Sequence, residues 1–398
     1  MWRYFLIVGL VTSSLFAGVP RKVQGVEQSG PSFRVTVYYA TDRVATADKP
    51  PLSPYGSARS KELAYGAAHV SIPSSHTIGV IEEATKWKFQ FSPDVTRDVV
   101  FLDTTSMTSD AFFKTMKQQT AASSSSVRSH SALILIHGFW TNFDEAIRRA
   151  AQTKYDIGFD GPVIVYTWPS YGDGVFYAAD ENNAEWTVHH LRLFLSDFST
   201  LVGAQTDIIA HSMGNRILAH ALESEAERCP LPVVHLDQII LAAPDMDRET
   251  FLGIAETITP LAKRITVYAS RHDQALAISH SLHQGSRAGE AGPEIVVLPR
   301  VETIDVGEVD QSFRGHSYVF ENVTVLSDIS AALRGKAIGI VRCGFVSQTL
   351  QTLSYFTMVR PAMGIKSPCV VRPAIVTSNP AGSPAPASRT ASRSPSSR

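Results

Sequence analysis

The most informative segment of the chain is Thr206-Asp207-Ile208-Ile209-Ala210-His211-Ser212-Met213-Gly214-Asn215-Arg216. A short apolar run leads into Ala-His-Ser-Met-Gly, and residues 217–222 continue with a helical pattern. A strand, a sharp turn with a central serine and a helix form the context that a nucleophile elbow requires. The pattern therefore predicts Ser212 as a nucleophile, although a surface serine in an ordinary strand–helix turn would fit the same five residues.

The residues two positions before and two positions after this serine must both be small, because a tight turn brings them together. They are Ala210 and Gly214. Alanine stands where the usual G-x-S-x-G pattern has its first glycine. The difference is tolerable because a methyl group is the smallest side chain available.

Apolar runs alternate with helical patterns from residue 132 onward. The run at residues 132–136 is continuously apolar, as expected for a strand that is buried on both faces of a sheet. Further strands are expected at residues 162–166, 207–210, 233–242, 264–269, 294–298 and 302–306. Helices are expected at residues 144–157, 183–198, 214–225, 248–261, 276–283 and 327–333. The alternation indicates right-handed βαβ units, and hence an α/β fold with a mainly parallel sheet and helices on both faces.

The part of the chain before residue 132 contributes strands of its own. Residues 33–40 alternate and are rich in β-branched and aromatic residues, and residues 66–73 and 86–91 also have strand patterns. Residues 41–60 are rich in turn-forming residues, and residues 109–120 have a helical pattern that Ser109-Asp110 could cap. We expect extra N-terminal strands at the edge of the sheet rather than a separate domain.

Composition and charge exclude several classes of protein. The 398 residues are 44% hydrophobic and 18% charged, so the chain can bury a sizeable core and is not globally disordered. The net charge of −1 gives no electrostatic case for a nucleic-acid partner. Cys229, Cys343 and Cys369 have no zinc-type spacing, and they could form one disulfide with a thiol left over or three free thiols.

The two ends of the chain differ from its middle. Residues 1–25 begin with one basic residue and a short apolar run, which predicts either a cleaved signal peptide or an N-terminal membrane anchor. We therefore expect an exported protein that is periplasmic, secreted or anchored in the cell envelope. Residues 337–363 are apolar without a period and receive no assignment, and residues 364–398 are predicted to be a disordered tail rich in Pro, Ser and Arg.

A serine nucleophile needs a base that takes its proton and an acid that orients the base. In the chain order that follows a nucleophile elbow, the acid comes next and the histidine last. Asp273 follows a late apolar strand and is the preferred acid, with Asp245 as the alternative one strand earlier. Asp247 is better explained as a helix cap. His316 is the predicted base, since it is the one histidine beyond His283.

The oxyanion that forms on the substrate needs two backbone N–H donors. Met213 follows the nucleophile at the start of a helix, and Phe139 follows His137-Gly138 after the first buried strand, so we predict these two amides as the oxyanion hole. His211 is expected to form a pocket wall.

Other candidate features near the predicted site are less specific. Trp140, Trp168 and Tyr171 could line an apolar pocket or simply fill the core. We expect no cofactor and no metal, because Gly172-Asp173-Gly174 lacks a third glycine and the chain has neither a Walker loop nor an HExxH helix.

Several short motifs together resemble those of bacterial α/β-hydrolases of uncharacterised function that are described as esterase-like or lipase-like, over roughly residues 35–335. They are Tyr39-Ala40-Thr41-Asp42-Arg43, the segment from Tyr65-Gly66 to His76, Ile136-His137-Gly138-Phe139, Tyr166-Thr167-Trp168-Pro169-Ser170, Ala210-His211-Ser212-Met213-Gly214, Ala242-Ala243-Pro244-Asp245 and Gly315-His316-Ser317-Tyr318. The resemblance implies the α/β-hydrolase fold, which we assign to residues 31–336. It also implies Ser212, Asp273 and His316 as a catalytic triad.

These observations together predict a serine hydrolase that cleaves carboxylic esters through an acyl-enzyme. The expected partner is a small-molecule ester or a lipid-like substrate, with membrane association through the N-terminus as a further expectation. An amidase or thioesterase would use the same triad. A protein of the cell envelope that binds ligands on a catalytically silent hydrolase fold is the alternative from a different class.

Overall fold

The computed structural model describes residues 23–47, 53–83, 92–123, 131–228, 233–309, 316–336, 338, 342 and 344–360. The predictions for the N-terminal segment before residue 23, for a strand at 86–91, for the tail and for the three cysteines lie outside these residues. None of the helices in the described ranges is long and apolar enough to cross a membrane.

A twelve-stranded sheet runs through the described residues. Its strands are β1 (Val26–Ser29), β2 (Ser32–Ala45), β3 (Tyr55–Pro73), β4 (Val100–Met107), β5 (Ser131–Ile136), β6 (Val163–Thr167), β7 (Gln205–His211), β8 (Leu236–Ala242), β9 (Ala262–Ala269), β10 (Val301–Asp305), β11 (Phe345–Leu350) and β12 (Leu353–Met358). The helices are α1 (Ser109–Ala122), α2 (Phe143–Ile157), α3 (Tyr177–Leu201), α4 (Gly214–Ala226), α5 (Arg248–Ile258), α6 (Gln274–His283), α7 (Tyr318–Glu321) and α8 (Val323–Leu333). Short 3₁₀ turns occur at Gly174–Phe176 and Thr259–Leu261.

The strand order is β11-β12-β10-β9-β8-β7-β5-β6-β2-β3-β4, with β1 beside β2. The pairs from β2–β6 through to β10–β12 are parallel, whereas β1–β2, β2–β3, β3–β4 and β11–β12 are antiparallel. The mainly parallel α/β sheet and its extra N-terminal strands are therefore confirmed. The next strand in the chain after β5, which is β6, lies on one side of β5 in the sheet, and the following strand, β7, lies on the other side. Ligands of open α/β sheets bind at such a switch point, beyond the carboxyl ends of the strands.

Helices cover both faces of the sheet, and the buried strands supply side chains to both sides. Leu133 and Leu135 of β5 join an apolar cluster with residues of α2 and α8. Ile134 and Ile136 of the same strand join a second cluster with residues of α1, α3, α4 and α5. This division explains why the strand at residues 131–136 is apolar at every position except its first.

Several elements differ from the sequence-based expectations. Residues 294–298 do not form a strand, because β10 already has β9 on one side and β12 on the other. The unassigned region after residue 336 contains the β11–β12 hairpin, so the sheet extends beyond the expected end of the domain. The turn-rich region at 41–60 includes the ends of β2 and β3, with irregular pairing near Arg43.

Two helix ends also differ. The side chain of Thr108 accepts a hydrogen bond from the Ala111 amide and caps α1, so the expected cap at Ser109-Asp110 is wrong by one residue. Helix α5 ends at Ile258 rather than Leu261, where a 3₁₀ turn with Pro260 follows. Proline has no N–H to donate to the helix, which accounts for the earlier end. The edge strand β4 was not predicted, since its sequence Asp103-Thr104-Thr105-Ser106 is polar.

Candidate active site

The chain turns sharply between β7 and α4, and Ser212 lies at the tip of the turn with a φ of 53°. Left-handed backbone is uncommon for residues other than glycine and is held only where the surroundings fix it. Here the Ser212 amide donates to the Ala242 carbonyl at 3.0 Å, while the Ser212 carbonyl accepts from the amides of Asn215 at 3.0 Å and Asp245 at 3.2 Å. The buried Asn215 side chain also donates to both carbonyls, each at 3.0 Å.

Glycines permit the close approach of backbone segments around this turn. A Cβ on Gly214 would lie 2.5 Å from the His137 carbonyl oxygen, and a Cβ on Gly138 would lie 2.7 Å from the Ser212 Cβ. The elbow is therefore packed directly against residues 137–142, which we call the β5 loop. Ser212 itself is 1% exposed, and its hydroxyl forms no hydrogen bond within the described residues.

The side chains of His316 and Asp273 are brought together from separate loops. His316 Nδ1–H donates to the Asp273 carboxylate, with both oxygens at 2.9 Å. One of these oxygens also accepts from the Leu276 amide at 3.0 Å, because Asp273 is the N-cap of α6. The carboxylate is thus fixed by a helix and holds the imidazole with Nδ1 protonated, which leaves Nε2 as the basic nitrogen.

His211 braces the loop that carries His316. Its Nε2–H donates to the His316 carbonyl at 2.9 Å, and the two ring centroids are 4.7 Å apart. Burial, and then the neighbouring His316, lowers the pKa of His211 well below its usual value. His211 therefore remains neutral and forms part of the cavity wall, where the sequence had placed it.

The β5 loop is fixed by stacking and hydrogen bonds. The His137 ring stacks on Trp168 at a centroid distance of 5.1 Å, and the Trp168 indole N–H donates to the His137 carbonyl at 2.8 Å. His137 Nδ1–H donates to the Gly138 carbonyl at 2.7 Å. Burial, and then the charge of Arg43, lowers the pKa of His137 to about 3, so the ring stays neutral.

One predicted oxyanion donor lies on the β5 loop and the other on the elbow that packs against it. Phe139 follows Gly138 in the β5 loop, and Met213 is the N-cap of α4 directly after Ser212. Within the described part of the chain neither amide donates to a protein acceptor. An N–H at the start of a helix also lies where the helix dipole favours negative charge.

A cavity of about 610 Å³ lies next to the turn, and His211, which directly precedes Ser212, is part of its lining. His316, His211 and Phe139 line it near the elbow, and Tyr177, Ile278 and Leu282 also belong to its lining. Ile278 and Leu282 are 70% and 60% exposed, so this apolar wall continues to the surface. The size lies within the range of about 300 to 1,000 Å³ that is usual for small-molecule sites.

Of the three aromatic residues that could line a pocket, only Trp140 does so. Trp168 is fully buried by its contact with His137, and it does not line the cavity. Tyr171 is half-exposed and stacks on Phe176, with ring centroids 4.8 Å apart. Of the two alternatives that the sequence left open, Trp168 therefore fills the core, whereas Tyr171 neither lines the cavity nor is buried.

The alternative acid, Asp245, belongs to a different network. Its carboxylate accepts from Tyr177 Oη at 2.8 Å, Ser279 Oγ at 2.7 Å and Arg287 Nε at 3.0 Å. These contacts join the start of α3 to α6, whereas the carboxylate that binds His316 is that of Asp273. Asp247 caps α5, where its side chain accepts from the Thr250 amide at 2.8 Å.

Sequence reasoning missed residues that shape the site without lying in a recognisable catalytic motif. Arg43 and Asp180 hold the β5 loop, Asn215 holds the elbow, and Tyr177 forms cavity wall. The one signal for Arg43 in the sequence was its position as the last residue of the motif Tyr39-Ala40-Thr41-Asp42-Arg43. Within the described residues, no group of three or more His, Cys, Asp or Glu side chains is placed to bind a metal ion.

Comparison with known proteins identifies the family of the chain. A family model described as an alpha/beta hydrolase of unknown function (DUF900) matches residues 113–331, more than half of the chain. The matched region includes the elbow, the β5 loop, Asp273 and His316. No curated protein matches the chain significantly. The chain therefore belongs to the DUF900 family of alpha/beta hydrolases of unknown function.

Proposed function

We propose that the protein is a serine hydrolase that cleaves carboxylic esters through an acyl-enzyme, with Ser212, His316 and Asp273 as its triad. The observation that carries the proposal is the contact of His316 with Asp273 at 2.9 Å, at a cavity that His316 lines together with His211, which directly precedes Ser212 in its left-handed turn. Family membership supplies only the hydrolase class, so the ester substrate rests on the site.

In the first half of the reaction, Ser212 Oγ attacks the acyl carbon and its proton passes to His316 Nε2. The carbonyl oxygen of the substrate becomes an oxyanion, which the Phe139 and Met213 amides bind. The tetrahedral intermediate then collapses, the bond to the alcohol breaks, and the alcohol leaves with the proton from His316. Ser212 now carries the acyl group.

In the second half, His316 takes a proton from water and the resulting hydroxide adds to the acyl carbon. The ester bond to Ser212 breaks, the serine recovers its proton from His316, and the carboxylic acid leaves. Asp273 stays ionised throughout and stabilises the imidazolium. Removal of one oxyanion donor typically costs about 100- to 1,000-fold in rate.

The cavity wall supports an apolar acyl group as the part of the substrate that enters. Phe139, Trp140, Tyr177, Ile278 and Leu282 provide apolar surface from the elbow to the opening. A series of p-nitrophenyl esters from acetate to long acyl chains tests the function, with Ser212→Ala as the matched control. Hydrolysis that vanishes in the variant supports the proposal. A folded protein that is inactive on the whole series would favour an amidase, a thioesterase or a silent fold.

A further inference from the structure

We propose that Arg43 is a positioning residue that sets the oxyanion hole through a buried clamp, formed by Arg43, Ser170 and Asp180 around the β5 loop. The inference rests on the proposed function, because it assigns a catalytic purpose to the conformation of that loop. Arg43 does not line the cavity, so it acts through the loop and not on the substrate.

Arg43 lies on β2 and is 2% exposed. Its guanidinium donates to the Thr141 carbonyl at 2.8 Å and to the Ser170 carbonyl at 2.9 Å. It also donates to Thr167 Oγ1 at 2.8 Å and to the Gly56 carbonyl at 3.1 Å. One planar group thus joins the β5 loop, the loop after β6 and the long β2–β3 hairpin. A lysine ammonium has three donors on a flexible stem and cannot reproduce this fork.

Asp180 and Ser170 hold the same loop from the other side. The Asp180 carboxylate accepts from the Trp140 amide at 3.3 Å and from Ser170 Oγ at 2.5 Å. Ser170 Oγ in turn accepts from the Thr141 amide at 3.2 Å. The amides of residues 140 and 141 and the carbonyl of residue 141 are therefore all bound by the clamp, immediately after the proposed donor Phe139.

The backbone at this point needs such support. Trp140 has a φ of 57°, a left-handed conformation that bulky residues rarely adopt. Phe139 and Gly138 come directly before it, and Gly138 packs against the Ser212 Cβ. The Phe139 N–H belongs to the peptide that joins Gly138 to Phe139, directly before the clamped amides of residues 140 and 141, so a change in the backbone at Trp140 is passed to the donor through a single residue.

The chemistry of Arg43 also favours a positioning role over a general stabilising one. Within the described residues its hydrogen bonds go to neutral oxygens, with no carboxylate in direct contact. A buried charge is expensive to desolvate, and apolar residues of similar volume often stabilise a fold as well. A fork that binds carbonyls of three segments instead selects one conformation of those segments.

The test uses Arg43→Lys and Ser170→Ala in the full chain, with Arg34→Lys as the matched control. Arg34 lies on the same strand and pairs with Asp103 at 2.8 Å, and neither residue lines the cavity. For each protein we would measure kcat and KM on one p-nitrophenyl ester, the affinity of an alkyl boronic acid that mimics the tetrahedral intermediate, and the affinity of the matching non-hydrolysable ether.

We expect Arg43→Lys to lower kcat by about 10- to 1,000-fold, up to the loss typical of one oxyanion donor. KM and ether affinity should change little, and boronic acid affinity should fall in the same proportion as kcat/KM. Ser170→Ala should lower kcat/KM and boronic acid affinity by smaller factors that again match each other. This variant carries the test if Arg43→Lys does not fold. Arg34→Lys should match the wild type.

A folded Arg43→Lys or Ser170→Ala variant with wild-type kcat would overturn the proposal. So would a lower melting temperature without a proportional loss of boronic acid affinity, since that result indicates a structural role alone. These outcomes require an active wild type, and in that case they leave the proposed function intact. A wild type that neither hydrolyses esters nor binds the boronic acid would remove the proposed function and the clamp's catalytic role together.

Discussion

Asp273 binds His316 and caps helix α6 with the same carboxylate. His316 Nδ1 lies 2.9 Å from both carboxylate oxygens, and the Leu276 amide lies 3.0 Å from one of them. The side chain of Asp273 is fully buried, so neither contact competes with water. The position of the proposed acid is thus set by the first turn of a helix, and the base is oriented by that helix.

Because Asp273 both orients His316 and caps α6, a single substitution can remove the first role and keep the second. We expect Asp273→Asn to lower kcat by about 10,000-fold, because an amide cannot hold the imidazole in the required tautomer. Asparagine caps helices about as well as aspartate, so the melting temperature should change little. Asp247→Asn is the matched control, since Asp247 caps α5 and does not line the cavity. Equal activity of the two variants would rule out Asp273 as the acid.

Replacement of glycine by alanine should have opposite effects on stability at Gly214 of α4 and at Gly253 of α5. A Cβ on Gly214 would lie 2.5 Å from the His137 carbonyl oxygen, whereas a Cβ on Gly253 would meet no atom within 4 Å. We expect Gly214→Ala to destabilise the protein by about 1 to 3 kcal/mol through overpacking and to disturb the elbow. Gly253→Ala should stabilise it by about 0.4 to 1 kcal/mol. Urea denaturation of both variants checks this, and a stable, active Gly214→Ala variant would contradict the tight packing.

The apolar wall on α6 should set the preference for acyl length. Ile278→Ser removes apolar surface from the opening of the cavity, so kcat/KM should fall for long-chain esters and change little for acetate. Each methylene that loses its burial is worth about 0.8 kcal/mol. Leu201→Ser is the control, because Leu201 is a half-exposed leucine at the end of α3 that does not line the cavity. An equal loss on all chain lengths would mean that the acyl group binds elsewhere.

A buried histidine outside the site should make the folded protein less stable as the pH rises into the alkaline range. His76 lies between Glu82 and Asp156, with a nitrogen 2.8 Å from each. Burial opposes its charge, but the hydrogen bonds to the two carboxylates outweigh burial and raise the pKa of His76 to about 9. Because the folded pKa lies above the unfolded value, the stabilisation is complete below about pH 6.5 and is lost as the pH rises through about 9.

The difference in unfolding free energy between the wild type and His76→Gln isolates this effect, since other groups that titrate in the range are present in both proteins. We expect the wild-type advantage to shrink by about 3 kcal/mol between pH 6 and pH 10. Denaturant titrations at several pH values would measure it. A difference that stays constant with pH would show that folding does not shift the pKa of His76.

The sequence predicted the parts of the fold that depend on local pattern. The elbow was recognisable because Ser212 lies between a buried strand and a helix with small residues at 210 and 214. The pairing of His316 with Asp273 followed from chain order, since the carboxyl ends of parallel strands meet at one edge of the sheet. Family membership supports this fold, whereas the roles of individual residues are proposals.

Features that depend on tertiary contacts escaped prediction. Arg43 lies 98 residues from Thr141 in sequence, so no local pattern shows that its guanidinium fixes the β5 loop. The sequence could not decide whether Trp168 lines a pocket or fills the core, and its stacking on His137 buries it beneath the loop. The β11–β12 hairpin has no clear period because it lies at the sheet edge, where only part of each strand is buried.

The most direct measurement is the reaction of the intact protein with a fluorophosphonate, followed by peptide mapping in a mass spectrometer. An activated serine displaces fluoride and forms a stable phosphonate ester, which an ordinary serine does not. We expect one modification per chain, at Ser212, with no labelling of Ser212→Ala and much slower labelling of His316→Ala. A folded protein that stays unlabelled, or that is labelled at another serine, would contradict the assignment of Ser212 as the nucleophile.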